Sequence, residues 1–239
     1  MLTRILFSIV LIMSFSTVFS TDTEQYYHDL RKKMVEEQIF RRGITDRRIL
    51  DAFMNVKRHL FVLPKFRELC YRDFPVDIGE GQSITQPYSV AVMTYAVAPD
   101  YNKKVLEIGT GSGYHTAIIA ELVKTVYTIE LNPILAHSAR KRLEGLGYRN
   151  IKYRIGDGYE GWTQYAPYDS IVVTCGEDHI PQALIDQLAV GGRMIIPVSY
   201  ASNVQELILL EKQDNKGDLK KTSLIPVQVV PMIRGSEKK

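Results

Sequence analysis

Glu107-Ile108-Gly109-Thr110-Gly111-Ser112-Gly113-Tyr114 is the stretch on which the reading of this chain turns. It continues the short apolar run Val105-Leu106 and leads into Ala117 to Val123, which has helical spacing. A strand that meets three closely spaced glycines and leaves as a helix is a βα turn whose backbone can adopt φ > 0 and approach a ligand. The spacing is G-x-G-x-G. The dinucleotide fingerprint needs a glycine where Tyr114 stands, because its glycines serve a pyrophosphate at the helix N-terminus.

Outward from this turn the pattern repeats. Val126 to Ile129 reads as a strand, Pro133 to Leu146 as a helix and Ile151 to Ile155 as a strand. Ser170 to Thr174 is an apolar run of the kind buried in a parallel sheet, followed by a helix from Pro181 to Leu188. Strands near Arg193 to Pro197, Glu206 to Leu210 and Leu224 to Val230 complete the set. Strands alternating with helices predict an α/β fold, a Rossmann-like, doubly wound, mostly parallel seven-stranded sheet that binds ligands beyond its carboxyl edge. Ahead of it, residues 21–100 read as a helical extension. Leu30, Met34, Val35, Gln38 and Ile39 keep a helical period that Gly43 ends, and Asp46 caps a second helix carrying Ile49, Leu50, Phe53 and Met54. His59 to Gln86 reads as loop with short extended pieces, punctuated by Pro64, Pro75, Gly79 and Gly81.

Three successive strand ends carry polar chemistry in order. After the glycine turn, Glu130 closes the second strand, where a carboxylate accepts both hydroxyls of a ribose. Gly156-Asp157-Gly158 follows the third, where an Asp in a loop accepts from an adenine amino group. Together they favour an adenosine-bearing cofactor. S-adenosylmethionine has no phosphate, so a loop without the dinucleotide spacing suits it.

The chain has 239 residues with a net charge of +3, and its Lys and Arg are scattered among Asp and Glu. No basic stripe with interleaved aromatics argues for nucleic acid. The two cysteines, Cys70 and Cys175, give no metal-ligand spacing, and no metal is expected. Arg4 followed by the uncharged run Ile5 to Phe19 predicts a secretory signal peptide over residues 1–20; the run is short for a membrane span of roughly 20 apolar residues. Residues 21–239 then form a single exported domain, expected to be monomeric. Without an N-x-S/T sequon, the favoured compartment is the periplasm.

The chain resembles the protein-L-isoaspartate O-methyltransferases over nearly all of its mature length. The resemblance runs through Arg42-Gly43-Ile44, Arg58-His59-Leu60-Phe61-Val62 and Gly81-Gln82-Ser83-Ile84-Thr85-Gln86-Pro87-Tyr88. It continues through the glycine turn, Val126 to Glu130, Gly156-Asp157-Gly158-Tyr159-Glu160-Gly161-Trp162, Ala166-Pro167-Tyr168-Asp169, His179-Ile180-Pro181 and Gly191 to Val198. The stretches Gly81 to Tyr88 and Gly156 to Trp162 are the specific ones; the glycine turn alone is generic. The resemblance implies a repair enzyme, usually cytoplasmic, that methylates the free carboxylate of L-isoaspartyl and D-aspartyl residues in damaged proteins, with S-adenosylmethionine as methyl donor. It implies cofactor contacts from Ser83, Ile84, Glu107, Gly109, Thr110, Gly111, Ser112, Gly113, Glu130, Leu131, Asp157, Gly158 and Thr174. The substrate side falls to His59, Ile84, Thr85 and Gln86. His59, followed by apolar Leu-Phe-Val, also reads as a packed histidine.

Two positions depart from the family pattern. Thr85 stands where Ser is usual, which keeps the hydroxyl and stiffens χ1. Thr174-Cys175-Gly176 replaces Thr-Ala-Ala, and Cys175 reads as a packing residue rather than a redox-sensitive thiol. A carboxylic acid with a pKa of about 4 is already ionised near neutral pH, so no general base is needed. Thr85 is the candidate catalytic residue, orienting that carboxylate. Three other readings remain open at this stage: a nicotinamide oxidoreductase on the same sheet, which lacks a Tyr-x-x-x-Lys pair; a methyltransferase on another carboxylate; and a non-catalytic damaged-peptide binding module.

Overall fold

The sheet is ordered by which strands can be buried on both faces. A computed structural model describes residues 23–200, 204–214 and 217–235; the expected signal peptide at residues 1–20 lies outside them. Strands β3 (Lys104–Ile108), β4 (Thr125–Glu130), β5 (Ile151–Ile155), β6 (Tyr168–Val173), β7 (Leu188–Tyr200), β8 (Val204–Lys212) and β9 (Leu219–Val227) form one sheet in the order β5-β4-β3-β6-β7-β8-β9. The first five are parallel, and β8 and β9 return antiparallel. Only three residues separate β7 from β8, too few for the crossover that parallel pairing requires. The seven-stranded, mostly parallel sheet matches the expectation.

β3 sits in the middle and pairs with β4 on one side and β6 on the other. The chain moves outward through β4 and β5, then restarts at β6 in the opposite direction. Such a reversal opens a crevice at the carboxyl ends of the strands, here between β3 and β6, where the glycine turn lies. Alternation along β3 explains why it is the pivot. Val105 packs into one core with Phe53, Phe61, Tyr114 and Ile118, while Leu106 and Ile108 pack into the other with Ile171, Leu184 and Met194.

The first face is covered by α1 (residues 23–33), α2 (Arg47–Asn55), α3 (Pro87–Ala96), α4 (Tyr114–Ala120) and α5 (Pro133–Gly145). α1 runs on through a π turn, Met34–Ile39, and a 3-10 turn, and Gly43 closes it in the left-handed conformation at φ 98°. Asp46 caps α2 by accepting from Arg48 N. The second face is covered by α6 (Gln182–Gln187) and by rings: Tyr127 lies 4.7 Å from Tyr165 and 5.5 Å from Tyr168, and Trp162 lies 5.1 Å from Tyr165. Among the described residues no helix is long and apolar enough to cross a membrane.

Three local features differ from the reading of the sequence. α4 begins at Tyr114, three residues early, because its N-cap is Gly113 at φ 86° and supplies no polar capping signal. α3 had no periodicity to betray it: Ser89, Val90, Ala91, Met93, Thr94 and Ala96 are all buried, so it lacks the solvent face that makes a helix legible. The stretch from His59 to Gln86 contains three 3-10 turns and a small antiparallel hairpin, β1 (Val76–Gly79) with β2 (Gln82–Ile84). Its tip turns on Glu80 and Gly81, both at positive φ.

Candidate active site

The glycine turn is shaped by what its residues lack. Gly109, Gly111 and Gly113 stand at φ 94°, 53° and 86°, a region that L side chains seldom adopt. A Cβ on Gly109 would lie 2.3 Å from Thr174 Oγ1 at the end of β6, and one on Gly113 would lie 2.9 Å from Leu143 Cδ1 of α5. Thr174 is that close because its hydroxyl reaches two carbonyls of the turn, Ile108 O at 3.0 Å and Gly109 O at 2.9 Å. After β5, Gly158 presses against β3: a Cβ there would meet Ile108 Cγ2 at 2.3 Å. Glycines thus let the ends of β3, β5 and β6 converge on one cavity.

Glu130, at the end of β4, completes the edge. Its Oε2 accepts from Gly111 N at 2.8 Å and its Oε1 from Asn132 N at 2.9 Å. The carboxylate is fixed in place, and each oxygen keeps a further lone pair for a ligand. The β1–β2 hairpin forms a roof with Ile78, Glu80, Gln82 and Ser83, tied down where Asn132 Nδ2 donates to Glu80 Oε2 at 3.4 Å. On the far side the chain returns as Val230, Pro231, Met232 and Ile233. Two backbone bonds hold it there, Gly176 N to Val230 O and Met232 N to Gly176 O, both 2.8 Å. This C-terminal wall was not anticipated. It follows the last strand and carries no motif, so only the sheet's closure brings it to the cavity.

Of the residues expected to hold cofactor or substrate, Ser83, Ile84, Thr85, Gly109, Thr110, Gly111, Ser112, Glu130, Leu131, Gly158 and Thr174 line this cavity together. Five do not line it. Gly113 packs beneath the turn against α5. Gln86 caps α3, its carbonyl accepting from Val90 N. Asp157 spends Oδ1 on Tyr159 N and Oδ2 on Gly235 N, both at 2.9 Å, and so joins its own turn to the C-terminal segment. His59 stacks on Tyr27 with ring centroids 3.9 Å apart and shares a 2.7 Å hydrogen bond with Tyr71 Oη. Burial lowers its pKa to about 4, so it is a neutral, packed ring at neutral pH.

Glu107 is the fifth. It is fully buried under the turn, and its Oε2 accepts from Thr116 Oγ1 at 2.6 Å and Thr128 Oγ1 at 2.7 Å. Oε1 has no hydrogen-bond partner. Burial raises its pKa to about 7, the two threonine bonds opposing that shift.

Charged side chains are seldom fully buried, and the sequence alone gives Arg58 no site role. It is fully buried. Nε donates to Cys70 O at 2.6 Å, Nη2 donates to Thr85 O at 2.7 Å, and the guanidinium lies over the Tyr114 ring at 4.6 Å. The fork thereby ties the segment after β2 to the helix that follows the glycine turn. Both cysteines are free and buried. Burial pushes the Cys175 thiol far above its ordinary range, so it packs against the cavity as a neutral group.

Residues 29–237 match the family described as Protein-L-isoaspartate(D-aspartate) O-methyltransferase. This chain belongs to that family. A protein-L-isoaspartate O-methyltransferase from Picosynechococcus sp. is 50% identical over 203 residues, 85% of this chain and 90% of its own length. One from Gloeobacter violaceus is 47% identical over 201 residues, 84% of this chain and 97% of its own. Among solved structures, a protein-L-isoaspartate O-methyltransferase superposes with a TM-score of 0.75 at 28% identity, over 86% of this chain and 66% of that one. A Plasmodium falciparum protein described as a putative member, in complex with S-adenosyl-L-homocysteine, shares the fold with a TM-score of 0.73 at 22% identity. The methyl donor of this family is S-adenosylmethionine, which sets the nicotinamide reading aside.

Glu107 makes stability depend on pH in a defined direction. Its folded pKa of about 7 lies above the ordinary 4.5, so the unfolded chain loses this proton first as pH rises. The cost of burying the charge is absent below 4.5, grows between 4.5 and about 7, and is constant above. In urea unfolding, Glu107→Gln should gain stability relative to wild type across that window, on the order of 3 kcal/mol, and change little beyond it. A pH-independent difference between the two proteins would show that Glu107 ionises alike in both states.

Proposed function

We infer that the protein transfers a methyl group from S-adenosylmethionine to the free α-carboxylate of L-isoaspartyl residues in damaged proteins. The carrying observation is that Thr85, in the family-specific segment, lines the same cavity as the glycine turn and Glu130. The cavity fits the cofactor's chemistry. Glu130 offers fixed acceptors for ribose hydroxyls, Gly111 keeps the turn free of side chain, and Ile108, Ile129, Leu131 and Met232 supply apolar wall for a flat base. Bound there, the cofactor supplies an electrophilic methyl group on a sulfonium.

The protein's own residues then have three tasks. The acceptor carboxylate is ionised at neutral pH and needs no base; of the histidines nearby, His59 is packed away, and His115, whose pKa burial lowers to about 3, shares a hydrogen bond with Thr94 Oγ1. Alignment falls to the Thr85 hydroxyl, whose backbone Arg58 holds by the carbonyl. Exclusion of water falls to the hairpin roof and the Val230–Ile233 wall. A neutral hydroxyl orients a carboxylate without stabilising it as strongly as a cation would, which keeps the nucleophile reactive. The neighbouring peptide nitrogen then attacks the ester carbonyl and expels methanol to give a succinimide, whose hydrolysis returns some normal aspartate.

D-aspartyl residues also present a free carboxylate, their β-carboxylate, and we propose them as secondary acceptors. We further propose that the protein is exported to the periplasm, on the strength of Arg4 and the uncharged run Ile5 to Phe19.

With labelled S-adenosylmethionine and peptides differing only in isoaspartate versus aspartate, base-labile methyl should enter the isoaspartyl peptide alone. Thr85→Ala should lower kcat/KM by about 10²-fold, and Thr85→Ser should retain activity. Equal labelling of both peptides, or none, would sink the assignment. Arg58→Lys keeps the charge and loses the fork; peptide KM should rise about tenfold with cofactor affinity unchanged. A matching loss of cofactor affinity would mean that Arg58 supports the whole site and not the substrate segment. Fusing residues 1–30 to alkaline phosphatase should give activity in intact cells, and an inactive fusion would remove the export proposal.

A further inference from the structure

Two threonine hydroxyls connect the buried Glu107 to the cavity and a third binds it from α4, and counting their protons fixes the direction of each bond. Thr116 and Thr128 both donate to Glu107 Oε2. Thr128 has one hydroxyl proton, and it is spent there. Thr128 Oγ1 also lies 2.6 Å from Thr110 Oγ1, so in that contact Thr110 must donate. Thr110 lines the cavity, and with its proton turned inward it offers a ligand only lone pairs.

This direction holds while Glu107 is ionised. A proton arriving at Glu107 has two places to sit. On Oε1 it would be a buried donor with no acceptor, since that oxygen has no partner. On Oε2 every contact survives if the chain reverses. Oε2 then donates to Thr128, Thr128 to Thr110, and Thr110 turns its own proton toward the cavity.

We propose that Glu107, Thr128 and Thr110 form a polarity relay, in which Thr128 is the positioning residue that lets the buried carboxylate decide whether Thr110 accepts from the cofactor or donates to it. The proposal rests on S-adenosylmethionine occupying this cavity. Its ammonium donates and cannot accept, so the ionised relay favours it and the reversed relay opposes it. The raised pKa of Glu107 puts the reversal near neutral pH. The groups that face Glu107 are few. α4 presents Thr116; β4 presents Thr128 and the Glu130 carboxylate, whose charge adds to the upward shift; β5 presents the Tyr153 phenol; and β6 opposes it with apolar Val172.

The test is calorimetric binding of S-adenosyl-L-homocysteine by the full chain between pH 5.5 and 8.5, with thermal melts confirming that each variant is folded. Ionisation of the ligand is common to all proteins and cancels in ratios of Kd. Thr128→Val, which keeps shape and removes the link, should weaken binding about tenfold at pH 8 and little at pH 6. Thr128→Ser should restore the wild-type profile. Glu107→Gln has an amide that donates at every pH, so its Kd at pH 8 should equal the wild-type value at pH 6 once referred to the same ligand form. A Thr128→Val ratio that does not change with pH, or a Glu107→Gln profile that follows wild type, overturns the relay while leaving the cofactor reading intact. Absence of binding by the wild type at every pH overturns both.

Discussion

One threonine hydroxyl at the end of β6 reaches two carbonyls of the turn at the end of β3, and no Cβ fits between them. The Thr174–Gly109 contact sets the distance between the two strands at the switch point of the sheet. Gly158 does the same from β5 by resting on Ile108. With these approaches made, Glu130 can reach across to the turn's own Gly111 amide and be held as a preformed acceptor. The cavity follows from them: a pocket at a strand crossover exists only if the strand ends come close without their side chains colliding.

The second face of the cavity depends on a buried cation. Arg58 replaces its lost hydration with two backbone carbonyls and an aromatic face, and its charge is met by no carboxylate hydrogen bond. The arrangement suits a site whose acceptor is an anion. A carboxylate partner for Arg58 would place negative charge beside the segment that bears Thr85. Backbone carbonyls hold Nε and Nη2 without that penalty, Nη1 is left without a hydrogen-bond partner, and the Nη2 bond holds the segment bearing Thr85.

Much of this was legible without coordinates. The order of strands and helices, the glycine turn, Glu130 and the Gly81–Tyr88 segment are local signals, because each is a periodicity or a conformational requirement that one stretch of chain meets alone. The alternation of β3 between two cores could be read from Val105 and Leu106 for the same reason. His59 was read in two ways, and its stack on Tyr27 sides with packing. What escaped notice lacked a local signal. α3 is buried on nearly every side, and the Val230–Ile233 wall reaches the cavity only through long-range backbone pairing.

The sequence by itself determined the sheet, the cofactor class and the family-specific segment that lines the cavity, because glycine spacing and hydrophobic period constrain backbone wherever they occur. Only the tertiary structure decided which polar groups face the cavity and which stand behind it. Glu107 and Glu130 look alike in the sequence, each a carboxylate at a parallel strand's end. Register separates them: Glu107 lies level with Thr128 inside the sheet, while Glu130, two residues further along the neighbouring strand, stands at the rim. Burial then gives them different chemistry, since a carboxylate out of reach of water must find its partners among neighbouring side chains.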